Sequence, residues 1–115
     1  MKEQGSSLPI EADCASVKAK LDAGENFLLV DCREQDEYEL VRIAGAKLVP
    51  MSEIQSRVGE LLDFKDRNVV VHCHHGGRSL RVAAWLRQQG FDKAQSLAGG
   101  IDRWAQEIDP TLARY

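Results

Sequence analysis

Short apolar runs alternate with amphipathic segments along this chain. Phe27-Leu28-Leu29-Val30 and Asn68-Val69-Val70-Val71-His72 are almost unbroken apolar runs of strand length. Such runs suit strands covered on both faces, as in a parallel sheet, and consecutive valines favour extended backbone. Shorter strands are expected at Leu48-Val49, closed by Pro50, and at Ala94 to Leu97. Leu8-Pro9-Ile10 reads as an edge strand, where the missing proline N–H is tolerated. Asp13 is placed to cap a helix that runs to about Ala23 and stops at Gly24. Further helices are expected from Asp36 to Val41 and from Ser52, the latter with Val58, Leu61 and Leu62 on its apolar side and Phe64 beyond. Another spans Arg78 to Gln89 ahead of Gly90, and a last one follows Gly99-Gly100 with Ile101, Trp104, Ala105 and Ile108 on one face.

This alternation implies an α/β fold: a mainly parallel central sheet of about five strands with helices on both faces. In such sheets ligands bind beyond the carboxyl ends of the strands. The segment after the triple valine is therefore the first place to look for chemistry.

The length of 115 residues suits one domain. Residues 8–115 are read as that domain and residues 1–7 as a disordered polar tail. Hydrophobic residues make up 43% and charged residues 29%, an ordinary globular balance. The net charge of −3 comes with no basic face, which argues against nucleic acid or an anionic membrane as partner. No apolar run approaches a membrane span, and Met1 to Ser7 lack the apolar core of a signal peptide. A cytoplasmic monomer is the expectation. Cys14, Cys32 and Cys73 are odd in number and scattered, as free thiols in a reducing compartment would be.

The candidate chemistry is Cys73-His74-His75-Gly76-Gly77-Arg78-Ser79, between a buried strand and a helix. Two glycines let the backbone curl so that successive N–H groups form an anion-binding nest at the helix N-terminus. A cysteine at its mouth should have a depressed pKa, and Arg78 adds positive charge. The arrangement suits a sulfur nucleophile that carries a transferred group. His72, Cys73, His74 and His75 are all metal-capable, yet four consecutive residues do not readily converge on one tetrahedral ion. His72 should point away from Cys73, while His74 and His75 read as exposed residues shaping the pocket entrance. No metal is expected. Asp31 and Arg33 flank a strand end that should face the loop. Arg33 could orient a substrate anion or make an ion pair with Glu37, and both readings stay open. Cys14 and Cys32 read as small core residues, a resolving role for Cys32 being the weaker alternative. Trp85 and Trp104 read as core.

Cys73-His74-His75-Gly76-Gly77-Arg78-Ser79 resembles the Cys-x-x-Gly-x-Arg-Ser active loop of rhodanese domains. Val30-Asp31-Cys32-Arg33 with Glu37-Tyr38 is similar to the family's strand end and Glu-Tyr pair, and Ile43-Ala44-Gly45-Ala46 with Pro50 to its Ile-x-Gly-Ala segment. Leu97-Ala98-Gly99-Gly100-Ile101-Asp102-Arg103-Trp104 resembles its Leu-x-Gly-Gly-x-x-x-Trp signature. Arg42 stands where the family usually has histidine, and Cys32 where it often has valine. The ending from Ile108 to Tyr115 is similar to rhodanese tails fused to adenylyltransferases that activate sulfur carriers.

The resemblance implies a sulfurtransferase that passes sulfane sulfur through a Cys73 persulfide. It implies a small donor such as thiosulfate or a protein persulfide, a thiol, cyanide or protein acceptor, and no cofactor. Two rival readings remain. Cysteine phosphatases use a Cys-x5-Arg loop, whereas four residues separate Cys73 from Arg78 here, a tighter nest for a phosphate. A non-catalytic interaction module is the other, and such modules usually lack the cysteine.

Overall fold

The computed structural model describes residues 8–115, so the expected tail over residues 1–7 lies outside the described residues. Five strands form one parallel sheet: β1 (Glu11–Ala12), β2 (Leu28–Asp31), β3 (Lys47–Leu48), β4 (Val69–His72) and β5 (Ala94–Leu97), in the order β1-β5-β4-β2-β3. The helices are α1 (Cys14–Asp22), α2 (Gln35–Leu40), α3 (Ile54–Arg57), α4 (Gly77–Gln88) and α5 (Gly100–Glu107). Among the described residues no helix is long and apolar enough to cross a membrane.

Alternation along the buried strands divides the core between two faces. Val30, Val69 and Val71 pack with Ile54, Leu61, Val82, Ala83 and Leu86 on one face, under α3 and α4. Leu29, Val70 and Leu97 pack with Val17, Ile101 and Trp104 on the other, under α1 and α5. Both faces are thus covered by helices. Trp104 is core as expected, while Trp85 lies half-buried at the margin of the first cluster.

Three expectations need correction. The edge strand is Glu11–Ala12 rather than Leu8 to Ile10. Pro9 has no N–H to give, so the ladder begins where the Ile10 carbonyl accepts from Ser96 N–H at 2.7 Å. The carbonyls of Leu8 and Pro9 are satisfied instead by side chains of Arg87 and Gln95. The helix expected from Ser52 is a single α-turn, Ile54–Arg57, continued as a 3-10 helix over Val58–Phe64. With three residues per turn, Val58, Leu61 and Phe64 share one face and pack inward, and Leu62 is left exposed. The third strand is Lys47–Leu48, and Val49 passes its N–H to the Asp31 carbonyl at 2.9 Å.

The chain runs from β2 outward to β3, then crosses back to β4 and outward to β5. The carboxyl ends of β2 and β4 therefore meet where strand order reverses, the place such sheets reserve for ligands. Just beyond β2, Arg33 is fully buried and spends all five N–H donors. Nε and Nη2 clamp the Asp31 carboxylate at 2.9 and 2.6 Å, and Nη2 also reaches the Val41 carbonyl at 2.6 Å. Nη1 meets the Glu37 carbonyl at 3.2 Å and the Tyr115 hydroxyl at 3.0 Å. This pair pins α2 to the end of β2. Arg33→Ala strands the Asp31 carboxylate in the core and should destabilise the protein by about 3–5 kcal/mol. Urea unfolding checks this; a loss below about 1 kcal/mol, the scale of an exposed pair, would contradict it.

Candidate functional site

Cys73 is the first residue after β4, and its side chain lies on the face of Val69 and Val71, opposite His72. Gly76 caps α4 with φ of 111°, a left-handed turn that side chains resist. The turn aims backbone donors at the sulfur: Gly76 N–H at 3.1 Å and Ser79 N–H at 3.3 Å from Cys73 Sγ. Ser79 Oγ lies 3.4 Å from Sγ and 2.7 Å from Ser96 Oγ, so Ser96 can donate to Ser79 while Ser79 donates to the sulfur. The 12-residue α4 adds the positive end of its dipole.

Cys32 lies on the core side of the same sulfur. The parallel register Asp31↔His72 places Cys32 across from Cys73, and Cys32 N–H donates to the His72 carbonyl at 3.0 Å. The Cys32 thiol hydrogen-bonds Cys73. That bond lowers the Cys73 pKa most; burial opposes it, and the Ser79 hydroxyl with the N–H groups of Ser79 and Gly76 lower it further, to about 4. The same bond and burial push the Cys32 thiol far up, and burial pushes Cys14 up to about 11. Near neutral pH the site therefore holds one thiolate beside one firmly protonated thiol.

The second glycine motif holds the loop in place. Ile101 N–H donates to the Cys73 carbonyl at 2.9 Å, and Asp102 N–H to the His74 carbonyl at 3.1 Å. A Cβ at Gly100 would stand 2.5 Å from the Cys73 carbonyl oxygen and 2.4 Å from that of His74. Gly99-Gly100 thus lets the start of α5 approach the loop backbone closely enough to bond it.

Arg78 is placed differently from a free anion ligand. Its Nη1 and Nη2 donate to Glu37 Oε1 and Oε2 at 2.7 and 2.9 Å. This fork, chiefly, holds the Glu37 carboxyl down at about 2. Glu37 therefore pairs with Arg78 while Arg33 pairs with Asp31, so the ion pair open to Arg33 forms with a different carboxylate. Arg33 has no donor left for a substrate anion. Tyr115 joins the two pairs: its hydroxyl donates to Glu37 Oε2 at 2.8 Å and accepts from Arg33. Its ring stacks on His74 at 3.8 Å, and His74 stacks on the exposed His75 at 3.8 Å. His72 is fully buried and kept neutral, first by burial, with Nε2 3.7 Å from Asp31 Oδ2.

His74, His75 and Asp102 bring ligand-capable atoms within 4.8 Å of one another. Asp102 already shares its carboxylate with Arg114 at 2.9 Å and Gln106 at 3.0 Å. A cation there would have to displace a guanidinium from a carboxylate while the two imidazoles lie stacked, which is a poor ligand set.

The structure gathers Gly76 and Ser79 around the Cys73 sulfur, while Arg78 pairs with Glu37 and His74, expected to be exposed, is half-buried against Tyr115. Ser96, Tyr115, Glu37 as the partner of Arg78, and the contact of Cys32 with Cys73 were not anticipated. Ser96 stands beside another polar residue, Gln95, in the short strand Ala94–Leu97, so little in the local sequence singles it out. Nothing local marks Tyr115.

The family model of the rhodanese-like domain matches residues 13–107. The chain belongs to the rhodanese-like domain family. A sulfurtransferase of Allochromatium vinosum is 39% identical over 103 residues, covering 90% of this chain and 94% of that protein. The probable adenylyltransferase/sulfurtransferase MoeZ of Mycobacterium tuberculosis is 38% identical over 95 residues, but the chain spans 24% of its length. The putative sulfur carrier protein YrkF of Bacillus subtilis is 33% identical over 107 residues, and the chain spans 56% of it. Among solved structures, a rhodanese-related protein from Thermoplasma volcanium superposes with a TM-score of 0.77 at 26% identity, covering 93% of this chain and all of that one.

A thiolate held near pH 4 sets the pH profile of labelling. Iodoacetamide should modify Cys73 at a nearly constant rate from pH 8 down to about pH 5, then slow as the pH falls through about 4, because the thiolate is the nucleophile. Cys14 and Cys32 should stay unlabelled in the folded protein. A Cys73 rate still climbing between pH 7 and 9 would contradict the account.

Proposed function

We propose that the domain is a sulfurtransferase whose nucleophile is Cys73. The observation that carries this reading is the cluster of donors on Cys73 Sγ: two backbone N–H groups and a hydroxyl within 3.4 Å. They favour a sulfur that is negative before, during and after the transfer. Cys73 is 1% exposed, so the site suits attack on a terminal sulfur atom rather than on a crowded centre.

In the first step the Cys73 thiolate attacks the outer sulfur of thiosulfate or of a protein persulfide. A new S–S bond forms at Cys73, and the donor leaves as sulfite or as a thiolate. In the second step a thiol, a protein acceptor or cyanide attacks the outer sulfur and restores the Cys73 thiolate. The N–H groups of the loop from His74 to Ser79 hold the persulfide charge. Arg78, paired with Glu37, adds positive potential at the rim and fixes the start of α4 against α2. Asp31 and Arg33 position this frame from beneath and do not touch the donor. His74 and His75, stacked at the entrance, are placed to shape what approaches. The names of the relatives in Allochromatium and Mycobacterium support sulfur transfer, and that of the Bacillus relative supports a protein partner in a sulfur relay. The cytoplasm remains the proposed compartment, with no nucleic acid or membrane partner.

Steady-state assays separate the readings. Wild type should transfer sulfur from thiosulfate to cyanide, and Cys73→Ser should lose that activity by about 10²-fold or more, on the scale of removing a nucleophile, with an unchanged circular dichroism spectrum. Aryl phosphate hydrolysis should stay at background, because a phosphoryl group needs donors around three equatorial oxygens. Phosphate hydrolysis without sulfur transfer would reverse the assignment. Neither activity, with an unreactive Cys73, would favour an interaction module.

A further inference from the structure

The proposed reaction uses one cysteine, yet the site contains two. Cys32 is fully buried, lies across from Cys73 in the extended β2–β4 register and belongs to the same core cluster. Neighbouring strands run about 4.8 Å apart, and disulfides need Cα atoms about 4.4–6.8 Å apart with side chains on one face. Val30 and Cys32 on one strand, with Val71 and Cys73 on the other, satisfy the second condition. Cys14 is on the opposite face, with Sγ 3.9 Å from the Ala98 carbonyl, and is no rival partner.

We propose that Cys32 is the resolving cysteine of Cys73, closing a reversible Cys32–Cys73 disulfide when a hydroperoxide oxidises the site. In the first step the Cys73 thiolate attacks a peroxide oxygen. An S–O bond forms, the O–O bond breaks, and the departing hydroxide or alkoxide is neutralised by a proton from the buffered solvent. Cys73 is then a sulfenic acid, oxidised by two electrons, and the peroxide is reduced by two. In the second step Cys32 sulfur attacks Cys73 Sγ. The S–S bond forms, the S–O bond breaks, and the Cys32 proton leaves with the hydroxide as water. An external dithiol supplies the two electrons that reopen the bridge.

The two cysteines are suited to different parts. Cys73 carries the thiolate, the form that reacts with peroxide, so it is the sulfur oxidised first. Cys32 is sealed from solvent and held protonated chiefly by the bond it donates to Cys73. Oxidation of Cys73 removes the negative charge that keeps Cys32 protonated, so the second thiol becomes available once the first is at risk. Without a partner, a sulfenic acid proceeds to the irreversible sulfinic and sulfonic states. A reductant would enter at Cys73, releasing Cys32 as the buried leaving thiol.

The test reads thiols and masses, and so stands apart from whether the protein transfers sulfur. Fully reduced protein is treated with hydrogen peroxide near neutral pH, alkylated after unfolding and mapped without reduction. The proposal expects three free thiols to fall to one, Cys14, with a Cys32–Cys73 peptide lighter by two hydrogens than its two parts. Dithiothreitol should return nearly all the alkylatable Cys73. In Cys32→Val the same exposure should leave Cys73 carrying two or three oxygens, with that recovery lost. Wild-type protein that gains oxygens on Cys73 while Cys32 remains alkylatable would overturn the proposal. So would equal dithiothreitol recovery in wild type and Cys32→Val. The wild-type map decides the matter even if the variant fails to fold.

Discussion

A negative sulfur buried beneath a protein surface needs donors fixed around it, and this fold supplies them from the main chain. Gly76 N–H, Ser79 N–H and the Ser79 hydroxyl meet Cys73 Sγ from the loop, and Cys32 meets it from the core. A nearby cation is not the main support, because Arg78 is forked onto Glu37. The rest of the site follows from keeping these donors aimed. Gly76 must turn left-handed to start α4 over the sulfur. Gly100 must lack a side chain so that α5 can bond the carbonyls of Cys73 and His74 from below. Two helix N-termini thus grip one loop, α4 by its donors to the sulfur and α5 by its donors to the loop backbone.

Those contacts explain why short segments far apart in sequence serve one structure. The strand end after β2 carries the Asp31–Arg33 pair, fully buried. Arg33 reaches Tyr115, Tyr115 reaches Glu37, and Glu37 reaches Arg78 at the first turn of α4. This chain of hydrogen bonds ties the frame under β2 to the helix that faces the sulfur. The charges are arranged as two carboxylate–guanidinium pairs joined through one phenol, so no member is left unpartnered in the interior. The stacking of Tyr115 on His74 brings the end of the described chain against the Cys73 loop.

Much of this was legible in the sequence because local physics decided it. Val69 to Val71 could be little else than a buried strand, Asp13 caps α1 through the Ser16 N–H at 2.8 Å, and Cys73 to Ser79 carried its chemistry in consecutive residues. The Ser52 segment misled because its apolar spacing fits both an α-helix and a 3-10 helix, and packing against the sheet chose the tighter winding. The Cys32–Cys73 contact depends on strand register, which no local pattern encodes. Arg33 was ambiguous for a related reason. A substrate anion and Glu37 were both open to it; the fold pairs it with Asp31 instead, and Arg78, 41 residues from Glu37 in sequence, takes that carboxylate.

On the proposed mechanism the cradle around Cys73 holds a sulfur anion and accepts one further sulfur atom. Intact-mass spectrometry of wild-type protein after brief exposure to thiosulfate addresses it directly. A gain of one sulfur atom located on Cys73 is expected, absent in Cys73→Ser and removed by cyanide with recovery of the starting mass. Protein that keeps its mass through thiosulfate treatment, or that gains sulfur on Cys14 or Cys32 instead, would contradict it.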